Sequence, residues 1–321
     1  MKQAQFEKLF EADWQWLDRQ LTTLEMLRPG EAGKDAGLGD LPAHYRRLCH
    51  HQALARERGY SLSLIQRLDD LVLRGYRQLY RPRLPVLAPM KQFLLRDFPR
   101  AVRAQWPWQL ASTLVFCLSM LLIWALVRSQ PEMVYALLDQ DTAEQLEQMY
   151  HPEADHRTAR DSADDITMFG YYIYNNISIA FRTFAGGIFF GIGALFIMLF
   201  NGSFFGAVAA HLTNAGFQQP FFTFVIAHGA PELTAIVLAG GAGLRLGWAL
   251  LAPGPWSRKD ALRLAAAQAM TVMYGAFALL LLAAFVEAFW SPRQFEAWIK
   301  YSVGGVFWLL TLGYLFAAGR R

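Results

Sequence analysis

Residues 110–127 run for 18 positions without a charged side chain. Wound as a helix, a stretch that long and apolar matches the hydrocarbon thickness of a bilayer. Comparable stretches follow it. Inside lipid every backbone N–H and C=O needs a partner within the protein, which leaves only helices or a closed barrel. These runs are continuous rather than alternating, so the chain reads as all-α, a polytopic helical membrane protein. Composition agrees, with 54% hydrophobic and 17% charged residues.

Ahead of the first span, residues 1–105 read as an N-terminal soluble helical domain with an interfacial helix at its end. Phe6, Leu9, Phe10, Trp14, Leu17, Leu21 and Leu24 recur at helical spacing up to Arg28-Pro29-Gly30. A Gly-rich loop over 30–40 follows, then helices over 41–58 and 61–80. Leu64, Leu68, Leu71, Leu73, Tyr76 and Leu79 are expected to form the apolar face of the second. Pro82, Pro85 and Pro89 make a linker. Residues 91–105 set Phe93, Leu94, Phe98 and Val102 against Arg96, Arg100 and Arg103, and Trp106 and Trp108 follow. Such a helix lies at the membrane interface just before a span. The first residues lack a continuous apolar core, so no cleavable signal peptide is expected.

Charge is partitioned. Residues 1–109 hold 18 Lys and Arg against 12 Asp and Glu, while residues 129–170 hold 10 Asp and Glu against Arg157 and Arg160 alone. That asymmetry reads as topology, with both termini cytoplasmic and the acidic loop 129–165 on the far face; nucleic acid is not an expected partner. His151, Glu153, Asp155 and His156 match no closed metal site, and Cys49 and Cys117 suggest no disulfide or thiolate site.

The membrane domain, residues 106–321, holds polar residues that need explaining. Foremost is His228-Gly-Ala-Pro-Glu232, embedded in an otherwise apolar stretch over 221–253. Pro231 suits a first helical position and Glu232 a first turn, so the run reads as a helix start with His228 on the approach. Asn201-Gly202 marks a turn, residues 203–217 form a short apolar segment with His211 and Asn214, and Gln218-Gln219-Pro220 interrupt it. That layout resembles the broken helices that build midplane transporter sites. Six spans are expected, with five plus a re-entrant segment as the alternative.

Ionisable residues inside membranes face a bundle interior or a cavity and need partners. The candidate polar cluster is His228, Glu232, Arg182, Asn175, Asn176, Asn201, Arg245 and Glu287, with Arg182 as the expected partner of Glu232. Gly187, Gly191, Gly243 and Gly247 are candidates for close helix packing. Two readings of the cluster stand side by side: a solute, ion or proton site, and a buried His–Glu pair that locks helices together. No catalytic residue, metal site or cofactor is expected; an intramembrane metal-dependent hydrolase ranks last because this is not the two-histidine helix motif of zinc proteases.

Together these motifs resemble the stage II sporulation protein M family. The likeness runs in order through Asn175-Asn176, Gly187 and Gly191, Asn201-Gly202, His228-Gly229-x-x-Glu232, the glycine-rich run 239–247 and Glu287-Ala-Phe, over about residues 166–318. The N-terminal domain looks like the extension of longer members from bacteria that do not sporulate, with Leu79-Tyr80-Arg81 and Phe98-Pro99 as weaker echoes. In spore formers the family's namesake holds cell-wall-degrading enzymes at the engulfing septum. The resemblance thus implies a scaffold, or a subunit of an envelope-associated complex, in a bacterial inner membrane. Its partners would be the lipid bilayer, other membrane or envelope proteins, or further copies in a homo-oligomer. A transporter or channel-like protein is the alternative. The resemblance implies no reaction.

Overall fold

The computed structural model describes residues 1–26, 40–80, 87–151 and 162–320, the last segment starting from the backbone of Ser162. The loop expected over 30–40 lies outside these residues except for Asp40. So do Arg28, Pro29, Pro82, Pro85, Glu153, Asp155, His156, Arg157, Arg160 and Arg321. The described residues are helices joined by turns, without a strand, and form two compact units, 1–90 and 91–321.

The first unit is three helices: α1 (Gln3–Met26), α2 (Leu41–Glu57) and α3 (Leu62–Leu79). Its core joins Phe6, Trp14, Leu17 and Leu21 to Leu48, Ala55, Leu64, Leu68 and Leu71. The helical spacing that predicts this stripe overreaches at its edges. Leu9, Leu73 and Tyr76 point outward, because an apolar arc much wider than about 100° cannot all face one neighbour. Gly75 lets α3 lie flat on a ring from α2; a Cβ there would stand 2.6 Å from Tyr45 Cδ2.

The second unit opens with α4 (Leu87–Gln92), a wide turn over Phe93–Asp97, and α5 (Phe98–Ala104). Residues 91–105 therefore belong with the membrane bundle, and the boundary falls 15 residues earlier than the expected 105/106. Packing explains the shift. Phe98 and Val102 enter a core with Ala235, Ala276 and Leu315, and Arg103 donates to the carbonyls of Leu315 and Ala318 at 2.6 and 2.7 Å.

The bundle itself comprises α6 (Trp106–Ser129), α7 (Gln140–Tyr150), α8 (Ser162–Gly186), α9 (Ile192–Asn214), α10 (Gln218–Leu251), α11 (Arg258–Phe289) and α12 (Ala297–Ala317). Five of these, α6 and α9 to α12, are long and apolar enough to cross a membrane. The remaining long helix, α8, carries Asp164, Asp165 and Arg182 and packs on α10 and α11. At 34 residues α10 is the central post, touching α6, α8, α9, α11 and α12.

Two expected breaks, at 201–202 and 228–232, are absent, while the interruption expected at 218–220 falls just ahead of that position, between α9 and α10. His228 to Glu232 lies in the middle of α10, with Pro231 inside the helix. A proline there removes one backbone donor and crowds the carbonyl four residues back. The carbonyl left without its N–H is that of Ala227, and Gly229 and Ala230 just ahead of the ring are small, so the helix continues through it. Asn201-Gly202 likewise sits inside α9, where Gly202 packs on Phe116 and Ser119 of α6 and Asn201 Nδ2 donates to the Ile197 carbonyl at 2.7 Å.

The chain turns at 187–191 and at 215–217. Gly191 has φ +84° at the start of α9. Gly216 has φ +88° just past its end, where the N–H of Phe217 bonds the Leu212 carbonyl at 2.7 Å and that of Gly216 bonds Thr213. This paired closure needs a residue in the left-handed region, and glycine takes it without steric cost.

Candidate functional site

The helices bring a small polar group together in an otherwise apolar interior. His228 and Glu232 are four residues apart on α10, so they share one face. His228 Nε2 lies 3.9 Å from Glu232 Oε2. Glu287 approaches from α11, and one ligand atom from each of the three residues lies within 4.8 Å of the others. The turn between α11 and α12 closes the group from the side. There, Ser291 Oγ is 2.8 Å from His228 Nδ1, while Lys300 of α12 donates from Nζ to the Ser291 carbonyl at 2.6 Å. His228 is 3% exposed, Ser291 1% and Lys300 5%, so these polar groups meet protein rather than solvent. Phe224 covers the imidazole edge-on, with ring centroids 5.3 Å apart.

The group sits toward one end of the bundle. Glu287 is in the last turn of α11, Ser291 in the turn that follows, and Lys300 in the first turn of α12. Along α10, by contrast, Glu232 is near mid-helix. Near the same end, Asp165 of α8 pairs with Arg293 just past Ser291.

The other sequence candidates divide. Asn176 is 3% exposed on α8, and Asn175 Nδ2 donates to its Oδ1 at 3.0 Å. Tyr172, a turn before it, packs with Ala284 and Ala288, and Ala180, a turn after it, packs with Ala235 and Leu280. Asn176 thus lies on the face of α8 turned toward α10 and α11. Arg182 does not form the expected pair with Glu232. It points outward and its Nε donates to the Ser178 carbonyl at 3.1 Å, because the inward face of α8 at that level belongs to Ala180 and Thr183. Arg245 is 13 residues beyond Glu232 on α10, about 20 Å along a helix, and is outside the group. Asn201 is spent within α9.

The four glycines meet in pairs. A Cβ on Gly187 would collide with the Gly243 backbone, and one on Gly247 with the Gly191 backbone. The turn after α8 therefore lies directly against α10, with no side chain between. Ser291 and Lys300 are the residues that sequence reasoning missed. A lysine just ahead of the apolar run 301–318 reads as a flanking charge that snorkels to the interface. Only the turn that folds it back over Ser291 makes it interior.

Across α6, α8 to α11 and the start of the α11–α12 turn, the helices that build this group coincide with one family description, Stage II sporulation protein M, whose model matches residues 112–292. The chain belongs to the stage II sporulation protein M family. His228, Glu232, Glu287 and Ser291 fall inside that match, whereas Lys300 lies beyond it. A second model, for a domain of unknown function, matches residues 4–81, which is most of the three-helix unit. No curated protein and no solved structure matches the chain. This family member is a membrane protein with an all-α fold, and the family description itself assigns no chemistry to the polar group.

Proposed function

We propose that this stage II sporulation protein M family member is a non-enzymatic scaffold or subunit of an envelope-associated complex in a bacterial inner membrane. The observation that carries this reading is where the bundle's polar groups point. His228, Ser291 and Lys300 bond to one another across α10, the α11–α12 turn and α12. A cleft of about 660 Å³ opens between α6, α10 and α12, but its lining is almost wholly apolar, with Gly229 and Leu233 of α10 in place of their neighbours His228 and Glu232. A polar centre turned inward and bonded to itself supports holding helices in register better than it supports passing a solute.

Both termini lie in the cytoplasm in this reading, which requires α8 to cross as a sixth span beside the five apolar helices. Arg96, Arg100 and Arg103 before α6 and Arg258, Lys259 and Arg263 at the start of α11 favour that side. Asp139, Asp141, Glu144 and Glu147, on and just before α7, favour the opposite one. The three-helix unit and the acidic face of α7 are then the surfaces offered to other membrane or envelope proteins.

Purification from native membranes, with mass spectrometry of what accompanies the chain, is the test. A stable set of envelope proteins is expected. In liposomes, ion and proton flux should be the same for the wild type and Glu232→Gln. Flux that depends on Glu232 would replace the scaffold with a transporter.

A further inference from the structure

We propose that His228, Glu232 and Glu287 bind a divalent transition-metal ion of the zinc or manganese class. The inference is independent of the scaffold reading, because an ion there could serve either a scaffold or a transporter. Three residues of metal-ligating type, from two helices, turn toward one point with their ligand atoms within 4.8 Å of one another. For His228 Nε2 and Glu232 Oε2 the separation is 3.9 Å. Two donors bonded to one tetrahedral ion at about 2.0–2.2 Å each lie about 3.4 Å apart, so this pair must close by roughly half an ångström to hold the ion. A pair at the 4.8 Å limit must close by up to about 1.4 Å, within what rotation of a glutamate carboxylate about its broad terminal torsion supplies.

The surroundings are those of a ligand held ready. A metal-bound imidazole typically has its other nitrogen fixed by a hydrogen-bonding partner. Ser291 Oγ, 2.8 Å from Nδ1, plays that part and leaves Nε2 toward Glu232. The Ser291 carbonyl is held in turn by Lys300 Nζ, so the orienting residue is fixed at both ends. One nitrogen and two carboxylates suit zinc, manganese or ferrous iron better than calcium or magnesium, which take oxygen donors. Lys300 is the rival cation, and the measurement must separate the two.

Full-length protein, purified in detergent without added chelator, should carry about one zinc or manganese ion per chain by elemental analysis. Chelation should lower its melting temperature, and adding back zinc or manganese should restore it. His228→Gln and Glu287→Gln, checked for helical content and a single size-exclusion peak, should retain metal at least about tenfold more weakly, the minimum that loss of even an outer-shell partner costs. Arg182→Gln, on the outward face of α8, should retain it fully. Absence of stoichiometric metal together with a melt unmoved by either ion would leave Lys300 as the cation of the group and overturn the proposal. Glutamine variants with wild-type metal content would overturn it equally. Should those variants fail to fold, the wild-type melts with and without ion decide alone.

Discussion

A buried imidazole can be held neutral or recruited as a ligand, and His51 of the three-helix unit is of the first kind. In the three-helix unit, Trp14 Nε1 donates to His51 Nδ1 at 3.2 Å and Phe10 lies across the ring at 3.9 Å between centroids. A proton on Nδ1 would break that bond and set a charge among aromatic rings. Burial accordingly holds His51 below the ordinary histidine value of 6.5. The unfolded chain therefore takes up a proton that the folded unit refuses, so stability is full above that value and falls as pH drops below it. A fragment of residues 1–90 should melt at lower temperature at about pH 5.5 than at about pH 7.5. His51→Gln keeps an acceptor for Trp14 without a titrating group and should flatten that dependence; a slope that persists in the variant would assign it elsewhere. In the membrane unit, the four-residue spacing of His228 and Glu232 is plain in the sequence. Lys300 is not, because a cation beside an apolar run looks the same whether it meets lipid headgroups or folds inward.

At the scale of elements, glycine decides how closely helices approach, and each glycine's partner determines its effect. Gly187 and Gly243 stand in backbone contact, so Gly187→Ala should lower the melting temperature of the detergent-purified chain through overpacking of about 1–3 kcal/mol. Gly313 on α12 has nothing within 4 Å of the Cβ position. Gly313→Ala should leave the melt unchanged or raise it slightly, since alanine is favoured over glycine in a helix by up to about 1 kcal/mol. Equal losses at both sites would mean that the seam contributes nothing specific. Pro231 teaches the complementary lesson. Read locally, a proline before a glutamate starts a helix, yet α10 runs through it, a helix against which five others pack along its length. Local propensity yields where tertiary burial is this dense.

The molecule as a whole is two compact units, and their boundary has a physical signature. Phe98, Val102 and Arg103 are committed to α10, α11 and α12, which draws residues 91–105 into the membrane unit. A chain beginning at Lys91 should therefore insert and elute as a single helical species, with a melt within a few degrees of the full-length protein's membrane unit. A chain beginning at Trp106 strips Phe98 from Gly275, whose Cβ position the ring fills, and should aggregate. What the sequence alone determined is the class of fold, the presence of long helices, the family, and the pairing of an imidazole with a carboxylate four residues on, because apolar length and helical periodicity are local properties. What the tertiary structure decided is where the chain turns, which cation enters the polar group, and which glycines touch. Those depend on what lies across from a residue in space, and neither hydropathy nor spacing along the chain contains that information.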